Sequence, residues 1–139
     1  MTQLIHIDNR GQQHPPKQPQ FDAVLDPETG LMWSIATIGD KRMIHAEAQK
    51  AVAELNLCGF SDWRLPTIKE LLTLVDYGRH SPAIDTDFFP DTKSDWYWSS
   101  SSSALDSDGA WIVSFYDGYS NRINRHHHAF VRAVRSARQ

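Results

Sequence analysis

Apolar positions recur along this chain with two periods, and the changes between them mark its elements. Ile68, Leu71, Leu72 and Val75 fall at i, i+3, i+4 and i+7, the single stripe of an amphipathic helix facing a core. Pro66 forbids a helix from running in from upstream, because it lacks an N–H and holds Leu65 extended. Thr67 then reads as an N-cap with Glu70 completing a capping box, and Gly78 as the residue that ends the helix. A first helix is expected over Met43–Leu57, where Ile44, Ala48, Ala51, Val52 and Leu55 share helical spacing and Gly59 sits just past the end.

The remaining apolar runs are short and read as strands. Phe21–Leu25 and Leu31–Ile35 flank Asp26-Pro27-Glu28-Thr29-Gly30, the turn chemistry of a β-hairpin. Trp96–Ser100 and Trp111–Phe115 are aromatic and β-branched strands separated by a serine-rich loop that runs to Gly109. Asp117-Gly118 marks a turn into a polar strand, Tyr119–Arg125, and Ala129–Arg135 is a last strand partly buried on both faces. Leu4–Ile7 is expected as an edge strand, Gly11–Gln20 as a proline-rich arm, and Tyr77–Pro90 as a long loop. The pattern is α+β, with residues 1–20 forming a strand and arm and residues 21–139 one domain.

Composition narrows the class. A chain of 139 residues with net charge −3 suits one globular core. It has no apolar run long enough to span a membrane. The first residues lack the basic and apolar regions of a signal peptide, and Cys58 is the only cysteine, so no internal disulfide forms. The expectation is a cytoplasmic protein. Net negative charge and the lack of a nucleic-acid motif count against a nucleic-acid partner.

Charge is unevenly spread. Aspartates are frequent from Asp76 to Asp117, whereas Arg122, Arg125, Arg132, Arg135 and Arg138 follow with no acid. Such a basic segment can fork onto carboxylate, sulfate or phosphate groups, or can balance the fold's own aspartates. Tyr116, Asp117, Tyr119, Ser120, Asn121, Arg122, Asn124 and Arg125 have the polar and aromatic make-up of an adaptable binding face. Ligand contact is therefore expected at Tyr116, Asp117, Tyr119, Asn121, Arg122, Asn124 and Arg125. Asp95, Trp96, Tyr97 and Trp98 offer a stacking platform for sugar rings or, more commonly, core.

Other chemistries find less support. His126 and His128 share a face if they lie on a strand and are weak metal candidates; no third ligand is legible. Asp106-Ser107-Asp108-Gly109 hints at calcium but departs from the EF-hand pattern at Trp111 and Asp117. His45 with Glu47 or Glu54 has acid–base composition, though such helical groups usually face solvent. The serines from Ser99 to Ser103 lack a nucleophile elbow. No catalytic residue and no cofactor is assigned.

One resemblance adds to this reading. The blocks GFSDWRLPTIKELLTLVD, FFP at Phe88–Pro90, YWSSS at Tyr97–Ser101, WIVSFYDG at Trp111–Gly118 and VRAVR at Val131–Arg135 resemble, in order, the Lcl C-terminal domain family. That family is named for a bacterial collagen-like adhesin and is similar to C-type lectins. The resemblance implies two helices packed on small antiparallel sheets with long loops, N- and C-terminal strands brought together, and ligand contact through the loops and last hairpin. Trp63, Arg64, Leu65, Pro66, Thr67 and Glu70 match its signature, which reads as scaffold. RLPT before an acidic helix is also similar to formylglycine-generating sulfatase-modifying domains, whose paired reactive cysteines are missing here. Many family members carry cysteines where this chain has Ala51, Val52 and Ala133. The function these features imply is a non-catalytic module recognising a carbohydrate, an acidic polysaccharide or a protein surface. The alternatives are an assembly subunit, self-associating through Leu4–Ile7 and the proline arm into a homo-oligomer, and a metal-dependent enzyme using His126 and His128.

Overall fold

A computed structural model describes residues 4–7, 11–14, 22–105 and 107–137. The turn chemistry at Asp26–Gly30 sets up the first sheet. Asp26 accepts the Glu28 N–H through Oδ1 and the Gly30 N–H through its carbonyl, and Gly30 takes the positive φ that closes the turn. The hairpin is β3 (Ala23–Asp26) and β4 (Leu31–Ser34), flanked by β1 (Ile5–Ile7), β2 (Gln13–His14) and β8 (Val134–Ser136). Their order is β2-β1-β3-β4-β8, all antiparallel. Thus β1 is an inner strand and not the expected edge, because Gln13–His14, within the expected arm, pairs outside it. The N- and C-terminal strands share this sheet but are separated by the β3–β4 hairpin.

The second sheet is a meander of β5 (Trp96–Ser102), β6 (Gly109–Ser114) and β7 (Ser120–Asn124). β5 extends beyond the expected Ser100 with a register irregularity between Trp98 and Ser102. Alternation along the strands divides two cores. Ala23, Leu25, Met32, Trp98 and Ile112 join one with Trp63 and Leu65; Val24, Trp33, Tyr97, Val113 and Phe115 join the other with Ile84 and Phe89. Central strands buried on both faces explain the nearly continuous apolar runs.

Each core takes one helix. α1 (His45–Ala53) contributes Ala48 and Val52 to the first, and α2 (Ile68–Leu72) contributes Leu71 to the second. Both are shorter than their periodicity predicts. Met43 is extended, exchanging backbone hydrogen bonds with Ala129; at the other end Leu57 and Phe60 pair around Cys58 and Gly59, which both have positive φ. α2 starts where expected, with Thr67 Oγ1 accepting the Glu70 N–H and Glu70 Oε1 accepting the Thr67 N–H. It then tightens into i→i−3 bonds through Val75, and Asp76 donates instead to the Ala83 carbonyl. Gly78 is therefore a loop residue bonded to Asp76 Oδ1 and not the helix end.

Candidate ligand-binding surface

The turn between β6 and β7 is built to carry exposed side chains. Gly118 donates to the Ser114 carbonyl, Ser114 to the Tyr119 carbonyl, and Asp117 Oδ1 accepts the Tyr119 N–H. Gly118 has φ +89°, and a Cβ there would stand 2.7 Å from Val75 Cγ1 and 3.5 Å from Tyr77 Cε1. Only glycine allows the turn to press this closely on the loop after α2. That loop is pinned in return: Ser81 N–H reaches the Tyr116 carbonyl at 2.7 Å and Ala83 N–H the Phe115 carbonyl at 2.6 Å. Arg79 ties it together through Asp76 and Asp85.

The outcome is a braced turn bearing Tyr116 and Tyr119, 56% and 71% exposed, beside exposed Asp117, with Tyr77, 73% exposed, on the loop packed against it. Sequence reasoning missed Tyr77. Its only signal was a place in a long loop, and tertiary docking alone brings it to Gly118.

The other hairpin residues lie along or beyond β7. Arg122 is exposed, with its guanidinium 5.9 Å from the ring of Trp111 on the facing strand. Asn121 Oδ1 accepts the Arg122 N–H, and Asn124 Oδ1 accepts the His126 N–H. Arg125 is held by the Ser107 carbonyl at 2.6 Å and Ser102 Oγ at 2.7 Å. At ~3.3 Å per residue, Arg125 lies about 20 Å along the strand from Tyr119. The seven residues therefore span two ends of one strand.

The aromatic platform at Trp96–Trp98 does not form. Tyr97 and Trp98 are fully buried, Trp98 donating to the Met43 carbonyl, and only Trp96 reaches solvent. The basic run is divided in the same way. Arg132 is enclosed, donating to the carbonyls of Ser34 and Ile35 and to Thr92 Oγ1, and Arg135 forks onto Asp62 over the Phe60 ring. Those two arginines serve the fold, while Arg138 lies outside the described residues.

His126 lies in a turn and His128 in the irregular segment after it, neither in a strand, so strand spacing does not put them on one face. No group of three or more His, Cys, Asp or Glu suited to a metal occurs among the described residues. The calcium suggestion includes Asp106, outside the described residues. His45 departs from its solvent-facing expectation: it is 2% exposed, stacked edge-on against Trp98, with Nε2 2.9 Å from the Ser99 carbonyl. Burial, and then the charge of Arg125, push its pKa down, against the Ser99 hydrogen bond that raises it. Glu47 Oε1 accepts the Ile44 N–H.

The Trp63–Glu70 stretch forms a frame. Trp63 Nε1 donates to the Leu57 and Phe60 carbonyls, and Arg64 pairs through its backbone with Val134. The Arg64 guanidinium forks onto Glu70 at 2.7 and 2.8 Å, which holds the Glu70 carboxyl below its ordinary pKa. Leu65 and Pro66 are buried. A match to the Lcl C-terminal domain model covers residues 22–135. The chain belongs to the Lcl C-terminal domain family. No curated protein matches it. In this Lcl C-terminal domain the recognisable signature and the exposed tyrosine turn are separate. The signature instead borders an open groove of about 510 Å³ between α1 and Ser100, and a smaller cleft of about 220 Å³ lies between α1 and the far end of β7. Among the described residues no helix is long and apolar enough to cross a membrane.

Proposed function

We propose that this domain is a non-catalytic carbohydrate-binding module of C-type-lectin-like fold, and that it holds sugar rings against Tyr116 and Tyr119 of the β6–β7 turn and Tyr77 of the loop beside it. The observation that carries the reading is three tyrosines, each more than half exposed: Tyr116 and Tyr119 on one turn, and Tyr77 on the loop that braces it. Solvated aromatic side chains on a rigid support offer apolar area at small entropic cost while their hydroxyls remain able to hydrogen-bond. Asp117, Asn121 and Arg122 supply polar arms beside them. Asn124 and Arg125, at the other end of β7, meet the same ligand only if it is a polymer lying along the strand.

The test is a glycan array probed with the wild-type protein and with a Tyr116→Ala/Tyr119→Ala variant, in calcium and in chelator. The wild type should retain a defined set of glycans in both conditions, and the variant should lose them by at least about tenfold with an unchanged melting temperature, as expected for loss of central aromatic contacts. Equal retention by the variant, or no glycan bound by either protein, would sink this assignment.

A further inference from the structure

We propose that the cleft between α1 and the far end of β7 binds a small zwitterion of the α-amino acid class. The cleft is lined by Ile44, His45, Ala46, Gln49, Asp108, Arg125 and His126, and its polar groups are of both signs. Three backbone segments fix its walls: the Arg125 carbonyl accepts the His45 N–H, and the Asp108 carbonyl accepts the Arg125 N–H.

His45 supplies the acceptor. The Ser99 carbonyl can only accept, so Nε2 carries the ring proton in the neutral imidazole and Nδ1 presents a lone pair. Nδ1 has no hydrogen-bond partner among the described residues, although the side chain is almost wholly buried and borders the cleft. Nδ1 is thus open to the cleft and can accept a donor from a ligand there. Arg125 supplies the opposite need. Two of its N–H groups are held by Ser107 and Ser102, which fixes the guanidinium without neutralising it. Among the described residues no carboxylate lies within ion-pair distance of it. Its remaining donors suit a carboxylate.

A ligand ammonium meets His45 Nδ1 and the carboxylate of Asp108, an exposed residue of the cleft lining whose carboxylate has up to about four lone-pair sites. The ligand carboxylate meets Arg125 and His126. A purely anionic ligand would face Asp108 and the bare Nδ1, and a purely cationic one would face Arg125. A volume of 220 Å³ equals about seven waters at ~30 Å³ each, room for an amino acid with a small side chain. This site does not depend on the carbohydrate reading, since Tyr119 lies about 20 Å away along β7.

Calorimetric titration with L-alanine and L-serine tests the proposal, with N-acetyl-L-alanine and L-alaninamide as controls carrying only one of the two charges. The zwitterions should bind, and each control should bind at least about tenfold more weakly because it forfeits one of the two charge contacts. Asp108→Asn and Arg125→Gln should each cost a similar factor, whereas Tyr116→Ala/Tyr119→Ala should cost nothing. In nitrogen NMR of the wild type, the His45 Nδ1 resonance should move on saturation as the lone pair gains a donor. The proposal is overturned if no zwitterion binds up to about 10 mM, if a control binds equally well, or if Nδ1 does not respond to saturation.

Discussion

Replacing Arg132 by methionine isolates the most heavily committed side chain in the fold. Methionine keeps most of the apolar stem and removes the guanidinium, which donates three hydrogen bonds of 2.7 Å to the Ser34 carbonyl, the Ile35 carbonyl and Thr92 Oγ1. Its charged face also lies 4.8 Å from the ring centre of Phe89 and 5.6 Å from that of Tyr97. Its removal leaves three acceptors without this donor, at roughly 1–3 kcal/mol each. Against this stands the desolvation of a fully enclosed cation, several kcal/mol, which also drives the Arg132 pKa down. The net expected loss is about 3 kcal/mol, a large share of a typical domain's stability. Urea unfolding followed by tryptophan fluorescence reports it, because Trp33 and Trp98 are fully buried. With a slope near ~1.5 kcal/mol/M, the midpoint should fall by about 2 M. Lysine at this position keeps a charge but not the planar fork, and should recover only part of the loss. A midpoint change below ~0.5 M for methionine, with unchanged slope, would refute the reasoning that Arg132 clamps the segment around Thr92 to the end of β4.

Two further outcomes follow from the same geometry. His45 is held neutral by burial, so its folded pKa lies below the ordinary 6.5; the unfolded chain binds the proton first, and stability should fall as pH drops below about 6.5. Urea midpoints between pH 7 and 5 should show this slope in the wild type and a shallower one in His45→Gln, while the carboxyls of Asp62 and Glu70, also lowered, act only below about pH 4.5; equal slopes would contradict it. Gly118→Ala places a methyl 2.7 Å from Val75 Cγ1 at a φ of +89°. It should cost about 1–3 kcal/mol by chemical unfolding and weaken glycan retention by freeing the loop from the turn; unchanged stability would refute the packing argument.

Local chemistry made much of the fold legible. The Asp26–Gly30 turn, the Thr67–Glu70 capping box and the aromatic strands appear where the side chains and backbone donors demand them, because each is settled within a few residues. The helix lengths were not legible. The apolar stripe of α2 continues to Val75, yet the chain turns away at Asp76 to meet Ala83, a partner that periodicity does not reveal. Gln13–His14 likewise joins β1 despite the surrounding prolines and glutamines, through sheet pairing that composition does not report. At the candidate surface, Tyr116 and Tyr119 could be singled out by type, but Tyr77 arrives through a loop contact. Arg132, Arg135 and Arg125 look alike in sequence. Their separate roles come from burial under Ser34 and Ile35, from Asp62, and from Ser102 and Ser107.

The central claim, that ligand is held at the tyrosine turn, is tested most directly by mapping amide and tyrosine-ring NMR shifts while titrating in a glycan retained on the array. The account predicts that the largest changes fall on Tyr77 and on residues 116–122, with the Trp63–Glu70 frame unmoved. Changes centred on the groove beside Trp63 and Arg64, with the three tyrosines silent, would contradict it.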